Sequence, residues 1–454
     1  MPVLSFSSLG GAGTVTGSKH LIRSGNTRVM VDCGLFQGLK NLRELNWQRL
    51  PIEPAKISAV VLTHAHLDHC GYLPRLVRDG FSGKIHCTHA TKAVAELILR
   101  DSAFLQEKDA EYANRHGTSK HHPALPLYNS RDAERTIERF ASSPIHRCIG
   151  LPGGGSLLFR RAGHILGAAS AQIDIGGKRF VFSGDVGRYG DPVMLEPEPV
   201  PEADFIVVES TYGNRRHDVA DPVDALGDIV ERTVQRGGTV VIPAFAVGRA
   251  QSLIHSLWKL RRAGRLANTP LYLDSPMAQS ASDLLHAFPH DHRLPASDYE
   301  AACDAVTYVR DVEESKALSA NRYPKVIISA SGMATGGRVL HHLIAFAPDH
   351  RNTILFAGFQ AAGTRGRKLL DGEREIKIFG QWIPVNAEVA DLPMLSAHAD
   401  SDELMRWLSG FQRAPRKVFI VHGEADASEA LRVRIARELG WDACVPRQDQ
   451  TFVL

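Results

Sequence analysis

Residues 57–69 read Ile-Ser-Ala-Val-Val-Leu-Thr-His-Ala-His-Leu-Asp-His. An apolar, β-branched run ends in three histidines and one aspartate, His64, His66, Asp68 and His69, within six positions. The run reads as a buried strand, so the polar cluster sits where a strand gives way to a loop. Imidazole and carboxylate are the ligands that suit zinc and its first-row neighbours. Four such groups on one turn cannot all reach one tetrahedral ion, whereas alternate members can face two adjacent ions. The spacing therefore points to a binuclear hydrolytic centre rather than a structural metal knot. The blander alternative is a solvated His-rich turn.

Four distant positions repeat the pattern of apolar strand, then His or Asp, then Gly. Asp32 stands in Val-Asp-Cys-Gly, Asp185 in Ser-Gly-Asp after the run 180–182, and His422 in Val-His-Gly after 418–421. His164 stands among small residues in Ala-Gly-His-Ile-Leu-Gly, which permits close backbone approach. Each alone reads as a capped turn or a satisfied polar residue. Their recurrence argues for one shared site, with Asp32 orienting a ligand or bound water and Asp185 free to bridge two cations.

The chain is long enough for two or three domains, with 454 residues, 44% hydrophobic and 23% charged. The first third reads as short strands and turns, and residues 90–140 as charged helix anchored by Tyr112, Leu127 and Phe140. From about residue 210 helices and buried strands alternate, which predicts a parallel sheet. Asp221-Pro222 starts one helix, as N-cap and first-turn proline, and Gly237-Gly238 ends it. A second helix is expected over 248–262. Net charge is +3, so any polyanion site must be a local groove lined by Arg and Lys. No apolar run is long enough to span a bilayer, and the N-terminus from Met1-Pro2 lacks signal-peptide character. The six cysteines are scattered, which implies a reducing cytoplasm, and Cys70 reads as a small buried residue.

With these residues the chain resembles the metallo-β-lactamase superfamily and, within it, the β-CASP nucleases. His64 to His69, His164 and Asp185 carry the superfamily likeness. Glu209 in Val-Glu-Ser-Thr-Tyr-Gly, His398 in Leu-Ser-Ala-His-Ala-Asp and His422 in Val-His-Gly-Glu carry the β-CASP likeness, along with segments 243–249 and 331–338. The likeness covers nearly the whole chain and is nearest to short bacterial RNA-processing members. It implies an α/β protein: an αββα sandwich from residues 1–208 and 378–454, interrupted by an α/β β-CASP domain over 209–377. By carry-over, one zinc takes His64, His66, His164 and Asp185, and the other takes Asp68, His69, Asp185 and His422. Manganese is also accepted by this donor set. A histidine at position 422 is typical of the RNA-directed members.

The implied chemistry is hydrolysis of single-stranded RNA by metal-bound hydroxide, leaving 5′-phosphate and 3′-hydroxyl ends. His398 is the expected general acid for the leaving oxygen, with Glu209 fixing its tautomer and favouring its protonated form. Asp68 and Asp185 complete the catalytic set. Arg249, Ser331, Gly336, Gly337, Arg338 and Ser396 are candidate substrate contacts, the segment 329–338 offering backbone N–H groups at a helix start. Tight-turn glycines are the alternative there. Gly10-Gly11-Ala12-Gly13 lacks a following GK[ST] and reads as a turn near the metal site. His116, His121 and His122 are expected to be solvated. Competing readings are a thioester or lactone hydrolase of the same fold, a DNA nuclease, and a scaffold that has lost ligands, although no ligand is missing. Endonuclease and 5′-exonuclease modes stay open, the extra C-terminal domain of ribonuclease J has no counterpart, and the resemblance allows a homodimer.

Overall fold

A computed structural model describes residues 3–454; Met1 and Pro2, the start of the segment read for a signal peptide, lie outside them. The residues group into two compact units. The first comprises residues 3–190, Leu195–Arg216 and His398–Leu454, and the second comprises Asp191–Met194 and His217–Ala397.

The first unit contains two seven-stranded sheets. In one, Leu4–Gly10, Lys19–Ser24 and Thr27–Val31 form an antiparallel meander, extended in parallel by Ala59–Val61, Lys84–Thr88 and Phe140–Ser143. In the other, Ala169–Ile175 and Lys178–Phe182 form a hairpin, and Phe205–Val208 and Lys417–Ile420 add in parallel. Alternate strand residues face each other between the sheets. Phe6, Val29, Val31 and Val61 pack on Phe159, Ile173, Phe180 and Phe419, and the Phe6 and Phe419 rings stack at 4.4 Å. Helices Ser401–Ser409 and Ala425–Leu439 cover the second sheet's outer face through Leu404, Leu408, Leu431 and Ile435. Helix His89–His116 packs on strands of the first sheet. This is the αββα sandwich.

The second unit is a six-stranded parallel sheet whose central strands are Thr239–Pro243 and Lys325–Ser329. Each is buried along its whole length, as a strand covered on both faces must be. Val240 and Ile242 face the helices Pro222–Gln235 and Arg249–Arg262, while Val241 and Ile327 face the helix Val339–Phe346. The Asp221 side chain accepts from Val223 N–H at 2.7 Å and Asp224 N–H at 3.1 Å, with Pro222 in the first turn, as the sequence predicts.

Three sequence expectations differ from what forms. The helical stretch over 90–140 is two helices, His89–His116 and Ser130–Ile137, separated by a loop that begins at the left-handed Gly117, and Phe140 opens a strand. Tyr112 is 54% exposed rather than a core anchor: past Ala110 no residue of the helix is buried, and the ring stacks on His116 instead. The expected divisions at 208/209 and 377/378 do not coincide with the compact units. Residues 209–216 stay with the first unit. Residues 378–397 stay with the second because Glu388–Asp391 pairs in register with Thr353–Phe356.

Candidate metal centre

The candidate ligands hang from strand ends of the sandwich. Chain direction brings the exits of Thr27–Val31, Ala59–Val61, Lys178–Phe182, Phe205–Val208 and Lys417–Ile420 to one rim. Asp32 and His422 follow their strands with φ of 57° and 48°, left-handed conformations that a non-glycine residue adopts only where its surroundings hold it. Part of that hold on His422 is its own N–H donating to Gly11 O at 2.6 Å, so the glycine turn does border the site.

Two groups of donors gather there: His64, His66, His164 and Asp185, and beside them Asp68, His69 and His422. Asp185 joins them. Its Oδ2 lies 3.4 Å from His64 Nε2 and 3.6 Å from His164 Nε2. Its Oδ1 lies 3.4 Å from His69 Nε2 and 3.5 Å from His422 Nδ1. His422 Nε2 is 3.2 Å from Asp68 Oδ2.

The outer faces of these rings are fixed. Asp32 accepts from His69 Nδ1 at 2.8 Å and from the backbone N–H and hydroxyl of Thr63 at 2.8 and 2.9 Å. The Thr63 hydroxyl also reaches His64 Nδ1, at 3.2 Å, and the Thr211 hydroxyl lies 3.1 Å from His422 Nδ1. The sequence reading anticipated Asp32 but neither threonine. Both sit within two residues of a recognised site residue at a strand end, which is the only signal available for them.

The donor set suits cations. His64 Nε2, His69 Nε2 and Asp185 Oδ1 are buried and make no hydrogen bond. Such groups each cost about 1–3 kcal/mol unless something else satisfies them. Burial pushes His64 and His164 down, and His66 down to about 3, so these imidazoles offer lone pairs at neutral pH. Burial favours the neutral form of Asp185, but His422, His69 and His64 outweigh it and hold the carboxyl well below its usual range. His69 is also desolvated, yet Asp185 and Asp32 push it well above its usual value. The space between those carboxylates therefore favours positive charge.

Glu209 and His398 form a third group with Asp185. Glu209 is fully buried and accepts from Val186 N–H at 2.6 Å and Thr211 N–H at 3.2 Å. His398 Nδ1 lies 3.3 Å from both Glu209 oxygens and 3.9 Å from Asp185 Oδ2. Burial alone would depress His398, but the Glu209 carboxylate raises it above its ordinary value.

The expected substrate contacts all lie in the second unit. Arg249 opens helix Arg249–Arg262 and is buried. Gly337 adopts φ of +75° in the turn between strand Lys325–Ser329 and helix Val339–Phe346. An added Cβ there would stand 2.8 Å from Ala330 O, whereas one on Gly336 would meet open space. The Ser331 hydroxyl receives the Thr335 N–H at 3.1 Å. Ser396 is buried at the end of the turn Pro393–Leu395. Arg338 departs from the expectation of a phosphate ligand. Its guanidinium donates to Asp274 Oδ1 at 2.6 Å and to the Val309 and Arg310 carbonyls, and Asp274 is itself held by His342 and Ser315. His116, His121 and His122 are exposed, as expected. Among the described residues no helix is long and apolar enough to cross a membrane.

Comparison with known proteins gives matches along most of the chain. Residues 13–226 match the metallo-beta-lactamase superfamily, 250–369 the Beta-Casp domain, and 382–446 a Zn-dependent metallo-hydrolase RNA specificity domain. A ribonuclease of Thermus thermophilus is 35% identical over 432 residues, covering 93% of this chain and 94% of that protein. The transcription termination factor FttA of Methanocaldococcus jannaschii is 31% identical, over 92% of this chain but 66% of the factor. An RNase J-like protein of the same organism is 28% identical over 92% of each chain. A crystal structure of an Enterococcus faecalis V583 protein of unknown function aligns over the full length of both chains with a TM-score of 0.54 and 13% identity, a likeness of fold alone.

Proposed function

Because this chain belongs to the β-CASP family of the metallo-β-lactamase superfamily, we propose that it is a metal-dependent ribonuclease that cuts RNA phosphodiesters to 5′-phosphate and 3′-hydroxyl ends. The observation that carries the reading is Asp185, with one oxygen turned to each donor group and the His398–Glu209 pair beside it. In this reading His64, His66, His164 and Asp185 hold one cation, and Asp68, His69, His422 and Asp185 hold the other. Two cations held there would supply a water acidified toward neutral pH and would offset charge on the phosphoryl oxygens.

The chain's own residues do the rest. Asp32 and Thr211 hold the His69 and His422 rings so that their inner nitrogens keep a fixed aim. Glu209 takes the His398 Nδ1 proton in a hydrogen bond, leaving Nε2 to carry the proton that the departing 3′ oxygen needs. The two backbone N–H groups on Glu209 keep that carboxylate from swinging away. Arg249, Ser331, Gly336, Gly337 and Ser396 remain the proposed strand contacts, and Arg338 instead braces the turn that carries Ser331 to Gly337.

Zinc is the proposed metal and manganese its competitor, since His and carboxylate serve both. A cytoplasmic setting agrees with six free cysteines, three of them buried. A homodimer is the proposed assembly, to be checked by mass in solution. The test is cleavage of 5′-labelled single-stranded RNA beside the matching DNA, with and without chelator. Chelator-sensitive cutting of RNA supports the proposal, internal fragments marking an endonuclease and a labelled mononucleotide a 5′ exonuclease. RNA left intact by the metal-loaded protein, or preferential cutting of DNA, overturns it.

A further inference from the structure

Far along helix Arg249–Arg262 from its N-terminus, the second unit carries a cavity of about 510 Å³ that the reaction described above does not use. That volume lies in the range of small-molecule sites, roughly 300–1,000 Å³. One wall is apolar, built from the half-buried Trp258 with Pro192, Leu294 and Pro295. The rim carries three cations, Lys259, Arg262 and Arg293, against one carboxylate, Asp298.

The wall is pre-formed. Arg293 donates through Nε to Met194 O at 2.9 Å and through its backbone N–H to Val193 O, and the His292 ring bridges Leu285 O and Leu294 N–H. Lys259 and Arg262 are exposed and have no carboxylate within ion-pair distance among the described residues; Arg262 lies over the Trp258 ring at 5.5 Å. The floor holds an unanswered polar group. His255 is 6% exposed and lines the cavity, and its Nδ1 is buried without a hydrogen-bond partner. Burial depresses its pKa, so the ring is neutral and able to give or take one hydrogen bond.

These groups together define a ligand. A helix C-terminus repels anions, so cations in its last turn are expected on any helix. What that expectation leaves unexplained is the cavity beside them, the orphaned imidazole and the apolar wall. An anion here must be gripped by the side-chain tips beyond the last carbonyls. A flat apolar body fits the Trp258 side, and Asp298 suits vicinal hydroxyls as an acceptor. Phosphate, sugar hydroxyls and a base are the three parts of a nucleotide. We propose that this cavity is a second nucleotide site, taking a nucleoside 5′-monophosphate unit either free or as part of an RNA strand. The preference for a nucleotide over other organic phosphates rests on the ribonuclease reading.

Binding of AMP, adenosine and inorganic phosphate to the metal-loaded protein by calorimetry tests this apart from catalysis. The expected result is saturable AMP binding, stronger than either fragment, and weakened on the order of tenfold or more in the Lys259→Gln/Arg262→Gln double variant. Both side chains are exposed, so the variant folds normally. Asp298→Asn should weaken AMP but not phosphate. Undetectable AMP binding, AMP affinity unchanged in the double variant, or phosphate binding as tightly as AMP each overturns the proposal. A 5′-phosphorylated oligoribonucleotide that displaces AMP identifies the strand as the source, and one that does not identifies the free nucleotide; both support the site. AMP binding that survives while RNA is not cut would sink the ribonuclease reading and leave the cavity's chemistry standing.

Discussion

Asp32→Asn separates the tautomer of His69 from its position. The carboxylate accepts three hydrogen bonds at 2.8–2.9 Å, from Thr63 N–H, the Thr63 hydroxyl and His69 Nδ1. An amide of the same shape has one oxygen to give, so its NH₂ group faces the Thr63 N–H in one orientation and the Thr63 hydroxyl and His69 Nδ1 in the other. If the amide nitrogen faces His69, the ring relieves the clash by moving its proton to Nε2, the atom 3.4 Å from Asp185. That removes the lone pair needed for a cation. If the tautomer holds, an orphaned donor costs about 1–3 kcal/mol. His66 and His164 do not touch Asp32, and His64 is reached only through the Thr63 hydroxyl, so the group that contains His69 takes the larger damage. Loss of such an orienting partner weakens metal affinity roughly 10–100-fold, or about 1.4–2.7 kcal/mol. Chelator-competition titration reads this directly. One equivalent should bind as in the native protein, the second should bind weakly, and activity should recover partly at high metal. Two equivalents held with native affinity would refute the tautomer argument.

Asp185→Ala removes the carboxylate common to both groups, so metal content by elemental analysis should fall and cleavage should vanish; full turnover would contradict a two-cation centre. His398→Ala should keep its metal but cut RNA slower by roughly 10²–10⁴, and metal loss in that variant would instead make His398 a ligand. Gly34→Ala would set a Cβ 1.6 Å from Asp68 O, displacing the backbone beneath Asp68 and His69, so both metal content and urea midpoint should drop. Lys19 is fully buried, and its pKa falls from 10.5 to about 8 because burial penalises the ammonium. Between about pH 8 and 10.5 the unfolded chain holds a proton that the folded chain has released, so stability should rise with pH across that window. Below it the burden of the buried charge is fully present. Urea midpoints of native and Lys19→Met protein should converge or cross as pH rises; parallel pH profiles would exclude Lys19 as the source.

The metal-site candidates were legible because their signal is local. A strand, a ligand and a glycine lie within a few residues at positions 32, 64–69, 185 and 422, and the parallel pairing of those strands brings their exits to one rim. Helix Pro222–Gln235 was legible for the same reason, its cap and first-turn proline being adjacent. Thr63 and Thr211 were not, since a threonine beside a ligand becomes an anchor only when a distant ring arrives at its hydroxyl. Arg338 shows the limit from the other side. Its neighbours in sequence suggest a phosphate loop, yet its destination is decided by Asp274, sixty-four positions away. The outer division of the second unit escaped for a related reason, because Glu388–Asp391 finds its partner strand only in three dimensions. Tyr112 reads as an anchor in the sequence because helical periodicity does not announce where burial along the helix ends.

The site is completed from both sides of a long excursion: the donors His64 to Asp185 precede it, the donor His422 and the His398 beside it follow, and residues 217–397 fold as a separate unit between. Thermodynamically such a detour is mild, because loop-closure entropy rises by only about 0.6 kcal/mol per doubling of length. Its effect is on timing. Chains emerge from the ribosome N-terminus first, at roughly 5–20 residues per second, so the inserted unit has the chance to fold before strand Lys417–Ile420 exists to pair with Phe205–Val208. Until that strand docks, His422 is absent from Asp68 and Asp185. A nascent chain broken off between the end of the second unit at Ala397 and that strand would carry most of the donors and a finished second unit, yet would lack a donor that the proposed second cation requires. The fold thereby postpones completion of the proposed two-cation centre until the segment after the inserted unit has been made.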